Sequence, residues 1–143
     1  VVVDVPLVAA VAPGEPLLDH TDGAGVPLAA LRDRPLICLP HGTGVCAALE
    51  RGCAQAGFRP RVTFEAAAPG TLARLASRGL GVAVLAGEDD GPAAGGELRS
   101  VRIVEPGMRA RIALAWQAAG PSGPAARVLL DRLRTALPAA SET

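Results

Sequence analysis

The sequence contains no lysine and no tyrosine, and its aromatic content is a single tryptophan and two phenylalanines. Every basic side chain is therefore arginine, and 14 of them balance 14 acidic residues to a formal net charge of zero. That balance excludes a self-sufficient nucleic-acid module, which concentrates basic residues to neutralise phosphates. Long apolar runs are absent as well. Pro6, Pro13, Pro35, Pro40 and Pro60 keep every run below the roughly 18 to 20 residues that a membrane span requires. The opening VVVDVPLVAAVAP lacks a preceding basic segment and is interrupted by Asp4 and Pro6, so it reads as a buried strand and not a signal peptide. Cysteine is scarce: Cys38, Cys46 and Cys53 are too few to pair completely, and their spacing matches neither CxxC nor a disulfide framework. A reducing cytoplasm is the expected compartment.

Half of the 143 residues are hydrophobic, enough for one modest globular domain. The only methionine is Met108 and Val1 opens inside an apolar run, so the numbering is expected to begin within a larger gene product. Apolar runs alternate with helical patterns. Strands are predicted at Pro6 to Ala12, Pro35 to Leu39, Arg61 to Ala66, Gly81 to Ala86, Leu98 to Val104 and Arg109 to Gln117. A helix from about Thr43 to Gln55 places Cys46, Leu49, Cys53 and Ala56 on one face, with Glu50, Arg51 and Gln55 on the other side. A second, Gly70 to Arg78, turns Leu72, Leu75 and Ala76 inward and stops at Gly79, a left-handed cap. A third is announced by Ser122 as cap before Pro124, and its stripe of Ala126, Leu129, Leu130, Leu133 and Leu137 ends at Pro138. Val26 to Asp33 reads as one or two helical turns, and Gly87 to Gly96 as a solvated or disordered loop. This order implies an α/β fold with a mainly parallel sheet.

Chemistry concentrates in PLICLPHGTGVCAALERGCAQAGF, Pro35 to Phe58, where an apolar strand runs into His41-Gly42-Thr43-Gly44 and then a helix. Glycines allow a tight turn, and the helix start supplies unsatisfied N–H donors with a partial positive charge, so the turn can hold an anion. The same residues also suit a plain connection in which Thr43 caps the helix. LPHGTG resembles the oxyanion turn of lipases and esterases, but no GxSxG nucleophile elbow accompanies it, and His20 falls in a polar loop. GTG is not a P-loop, since no Gly-Lys-Ser/Thr follows. Cys38, His41 and Cys46 lie close in sequence, yet zinc sites use recognisable paired spacings. Core packing accounts for both cysteines, so no metal and no cofactor is expected. A second junction, EAAAPGT from Glu65 to Thr71, points the same way and opens into the same cleft, where the three alanines and the proline give apolar walls that carry no proton-transfer group. Arg59, Arg61, Arg109 and Arg111 read as solvated charges flanking strands.

The ordered set PLVAAVAPGEPL (Pro6 to Leu17), VPLAALRDRPLICLPHGTGVCAALERGCAQAGFRPRVTFEA (Val26 to Ala66), TLARLASRGLGVAVL (Thr71 to Leu85) and RIALAWQAAGPSGPAARVLLDRLR (Arg111 to Arg134) resembles the effector-binding domain of LysR-type transcriptional regulators, from its middle to its C-terminus. The resemblance implies a fold like type II periplasmic binding proteins: two Rossmann-like α/β subdomains joined by two crossover strands, with an effector cleft between them. Residues 1–12 would be the first crossover from subdomain I, 13–110 subdomain II, and 111–143 the return strand and a C-terminal helix packing on subdomain I. Most of subdomain I would lie outside the chain. The family's effector contacts map onto Pro40, His41, Gly42, Thr43 and Gly44, and onto Ala66, Ala67, Ala68, Pro69 and Gly70. Family members often carry a capping Asp or Ser at the second junction, and this chain has alanines and a proline instead. The implied function is non-enzymatic: sensing a small anionic effector for a cytoplasmic regulator. DNA would be bound through a winged helix-turn-helix absent from this chain, in a homodimer or homotetramer with no membrane contact. The alternative is a stand-alone solute-binding protein of the same fold, with a hydrolase third.

Overall fold

The computed structural model describes residues 3–20, 25–87 and 98–137. Among these residues, seven strands form one sheet: β1 (Val3–Val11), β2 (Val26–Pro27), β3 (Leu36–Cys38), β4 (Val62–Glu65), β5 (Val82–Ala86), β6 (Arg99–Val104) and β7 (Arg109–Ile112). Among the described residues there are three α-helices: α1 (Gly44–Gln55) and α2 (Pro69–Ser77) between strands, and α3 (Pro124–Ala136) after β7. The strand order is β2-β6-β1-β5-β3-β4, and β7 pairs with β1. The sheet is mixed where a mainly parallel one was expected. Strands β3, β4 and β5 pair in parallel through the crossover helices α1 and α2, as does β2 with β6, but β1 runs antiparallel to both β5 and β6. The apolar run of β1 carries no record of direction, because a strand covered on both faces has the same composition in either kind of ladder.

The alternation of side chains along each strand sorts the core into two clusters. Leu7, Ala9 and Val11 of β1, Leu36 and Cys38 of β3, and Val82 and Val84 of β5 share one face with Ala48, Leu49 and Cys53 of α1. Their sequence neighbours Ala10, Ile37 and Ala83 face the other way, onto Leu72, Ala73 and Ala76 of α2. Each fully buried leucine contributes roughly 1.5 to 3 kcal/mol of transfer free energy, so the helices are fixed to opposite faces by residues one position apart. α2 stops where the glycine signal placed it. Gly79 has φ 77°, its N–H donates to Ala76 O, and Leu80 N–H reaches back to Leu75 O.

Several local expectations need correction. β7 ends at Ile112 and does not reach Gln117. A short 3-10 turn occupies Pro16–His20, where a loop holding His20 was expected, whereas the helical turn expected within Val26 to Asp33 is present as a 3-10 turn at Leu28–Leu31. The N-cap of α3 is Gly123, with no side-chain cap bond, because Ser122 falls one residue too early for its oxygen to meet the first-turn N–H groups. Ala56 is exposed, since α1 has already reached its C-cap there. Nearly all of the Gly87 to Gly96 loop lies outside the described residues. By contacts the chain divides into two compact units, Val5–Ala110 and Val1–Asp4 with Arg111–Thr143.

All three cysteines are free and buried. Burial pushes the Cys38 thiol up to about 12 and the Cys53 thiol up to about 11. Because the thiolate is the nucleophile, labelling of Cys53 by a disulfide reagent near neutral pH should run about a hundredfold or more slower in native than in unfolded protein. Equal rates would show that the core face of α1 is open to solvent.

Candidate functional site

The loop between β3 and α1 is held by its own threonine. Thr43 adopts an extended N-cap conformation, its hydroxyl donates to Pro40 O at 2.8 Å, and it accepts from Cys46 N–H at 3.3 Å. Thr43 N–H also donates to Pro40 O, at 3.2 Å. Gly42, with φ 95°, completes the reversal at a position where a side chain would be strained. Capping satisfies one amide of the first turn. The remaining first-turn dipoles add to the partial positive charge at the start of α1.

The second loop leaves the neighbouring parallel strand at the same end of the sheet, with Cys38 in register with Glu65. Ala66 N–H donates to Cys38 O at 3.2 Å. Ala68 is the N-cap of α2 without a side-chain bond, and Pro69 opens that helix. Thr71 and Leu72 N–H both turn back to Ala68 O. Ala67, Ala68 and Pro69 are exposed and Ala66 is half-buried, an apolar wall without an ionisable group. A bond between the two junctions joins them: His41 N–H donates to Glu65 Oε1 at 3.1 Å. Pro40 to Gly44 and Ala66 to Pro69 are thus brought to one edge. A cavity of about 170 Å³ lies elsewhere on α1, lined by Arg51, Gln55, Pro106 and Met108, and takes in none of these loop residues.

Three side chains absent from the predicted set converge on the first loop. His41 Nδ1 lies 2.9 Å from Glu50 Oε1, and Cys46 Sγ donates to the same oxygen at 3.5 Å. The predicted separation of Cys46 and Glu50 onto opposite faces of α1 is wrong, because four residues advance a helix by one turn and only about 40°. The bond from His41, then that from Cys46, lowers the Glu50 carboxyl below its usual range. Burial first, and the Glu50 bond second, raise the Cys46 thiol. The i, i+4 spacing of Cys46 and Glu50 was readable in the sequence. Glu65 was not, because its place beside His41 depends on the pairing of β3 with β4.

The sequence profile described as the LysR substrate binding domain matches residues 1–138. The chain belongs to the LysR substrate-binding domain family. Solved structures carry the same fold. HinK, a LysR family transcriptional regulator from Pseudomonas aeruginosa, superposes with a TM-score of 0.70 at 20% identity, over 94% of this chain and 46% of its own. The regulatory domain of CcmR from Synechocystis PCC6803, in complex with 2-PG, gives 0.66 at 22% identity, over 96% of this chain and 65% of its own. The effector binding domain of QuiR in complex with shikimate gives 0.70 at 15% identity, over 95% and 63%. This LysR domain chain therefore spans less than two thirds of each of these relatives. No curated protein sequence matches it. The chain is an effector-binding domain of a LysR-type regulator, in a family that is generally not enzymatic. Among the described residues, no helix is long and apolar enough to cross a membrane.

Proposed function

We propose that the paired loops Pro40 to Gly44 and Ala66 to Pro69 are this domain's contact surface for a small organic acid, and that the whole protein is a cytoplasmic, homo-oligomeric, non-enzymatic regulator binding DNA through a winged helix-turn-helix outside these residues. Residues 13–110 would form subdomain II, with residues 1–12 and 111–143 belonging to the crossovers and to subdomain I. The observation that carries the reading is the bond from His41 N–H to Glu65 Oε1, which ties two helix-start loops at the ends of adjacent parallel strands. Open α/β sheets bind ligands at that end. The relatives' 2-PG and shikimate complexes supply the size class. In such a regulator the effector acts by binding one arrangement of the subdomains more tightly than another, and it shifts their populations by that difference.

The test is calorimetric titration of the full-length protein with a panel of small carboxylates, shikimate and benzoate among them, in the presence of a chelator. For the acid that binds, Gly42→Val should weaken binding about tenfold or more by filling and straining the turn. Thr43→Val, which removes a cap worth about 1 kcal/mol, should weaken it several-fold. Unchanged affinity in both variants would place the effector elsewhere.

A further inference from the structure

We propose that His41, Cys46 and Glu50 form a zinc site on the first turns of α1, with an open fourth position facing solvent. Their ligating atoms, one imidazole nitrogen, one thiol sulfur and one carboxylate oxygen, all lie within 4.8 Å of one another. Both donors already converge on a single atom, Glu50 Oε1, at 2.9 Å from His41 Nδ1 and 3.5 Å from Cys46 Sγ. Tetrahedral zinc with bonds of about 2.0 Å to nitrogen or oxygen and about 2.3 Å to sulfur sets its ligands about 3.3 to 3.5 Å apart. The sulfur and oxygen are at that separation already. The nitrogen needs only a rotation of the His41 side chain, which is 82% exposed and unobstructed by the core.

The backbone under the three ligands is fixed independently of them. Cys46 and Glu50 are one turn apart on α1, and the His41 loop is pinned by the two bonds to Pro40 O and by the bond from His41 N–H to Glu65. Such outer bonds orient metal ligands and raise affinity. The donor set selects among metals. Calcium and magnesium take oxygen ligands and reject sulfur and nitrogen, whereas one thiolate, one imidazole and one carboxylate suit borderline-soft zinc. On binding, the Cys46 S–H bond breaks, its proton passes to solvent and the sulfur's electron pair goes to the metal; His41 gives up the Nδ1 hydrogen to solvent, takes one up at Nε2, and ligates through the freed Nδ1 lone pair. Glu50 exchanges its two hydrogen-bond donors for the cation. Three protein ligands leave the fourth place to water, as in zinc sites that are not purely structural. Cys38, the residue that adjacency in sequence would recruit with His41 and Cys46, is outside the group, and its sulfur lies in the core.

The experiment titrates the full-length protein, without effector, with zinc alone by calorimetry and with cobalt by absorption. One equivalent of zinc should bind at micromolar concentration or below, and cobalt should give a thiolate charge-transfer band with tetrahedral d–d bands. His41→Ala and Glu50→Gln alter exposed side chains and leave the core intact, and each should weaken zinc binding about tenfold or more. Cys46→Ser should abolish the charge-transfer band. No binding below millimolar zinc would overturn the proposal, as would binding unchanged in His41→Ala and Glu50→Gln, or a cobalt spectrum without sulfur ligation. Because the effector titrations contain a chelator and these contain no effector, either assignment can fail alone.

Discussion

Gly81→Val is expected to cost about 2 to 6 kcal/mol of stability, the sum of a backbone strain and an overpacking effect of about 1 to 3 kcal/mol each. Gly81 immediately precedes β5 with φ 157°, and a Cβ built there would stand 2.6 Å from the backbone oxygen of Pro35 and 3.2 Å from Ile37 Cγ1. That oxygen cannot simply move aside, since it accepts Val82 N–H at 2.9 Å and anchors the start of β3 against β5. A shifted β3 would carry the His41 loop with it. Gly79→Ala supplies the control two residues away: φ is 77° but no atom lies within 4 Å of the added Cβ. Strain alone then acts, about 1 kcal/mol. Urea unfolding followed by circular dichroism separates the two. Equal losses would mean that close approach to Pro35 contributes nothing at Gly81.

That pair of glycines also marks what the sequence discloses and what it withholds. Gly79 was legible because a glycine after a helical stripe, followed by apolar Leu80, has a local meaning that tertiary structure rarely changes. Gly81 reads only as the start of a strand. Its requirement comes from β3, more than forty residues earlier in the chain, and becomes visible once β3 and β5 are paired. The candidate site divides in the same way. His41 to Gly44 stood out because strand, glycines, cap and helix start are consecutive, so one window of sequence contains the whole device. The partnership of His41 with Glu65 is set by the register of two strands. Cys46 presents a different difficulty: helical spacing shows its place in the buried stripe, and that burial conceals a second contact. A residue at the edge of such a stripe can pack its Cβ inward and still present its sulfur to a neighbour one turn on, as Cys46 does to Glu50. Direction within the sheet was hidden for a related reason, since β1 is apolar from Val5 to Val11 and pairs antiparallel with both β5 and β6.

In the 143-residue chain alone, amides across Val128 to Ala136 are expected to exchange about a hundredfold or more faster than those in the core of α1. α1 buries five residues, Leu49 and Cys53 among them, whereas α3 buries none. None of its apolar stripe is fully buried: Leu129 is 58% exposed, and Ala126, Leu130 and Leu133 are half-buried. Within its own unit, Leu130 and Leu133 line one side of a cavity of about 310 Å³ with Leu114 and Trp116, and Arg134 stacks over the Trp116 ring at 4.5 Å. A cation–π contact at an exposed site contributes about 0.5 to 1 kcal/mol. A helix of 13 residues is marginal in water without tertiary packing. One such contact cannot replace the roughly 1.5 to 3 kcal/mol that each covered leucine would supply. On the proposed two-subdomain arrangement, that cover is the remainder of subdomain I. The same amides in the full-length protein should then approach the protection of α1. The comparison is hydrogen exchange on both proteins, read at peptides from α1 and α3. Equal protection of the two helices in the short chain would refute the assignment of α3 to subdomain I, because a helix already stable alone has no need of that surface.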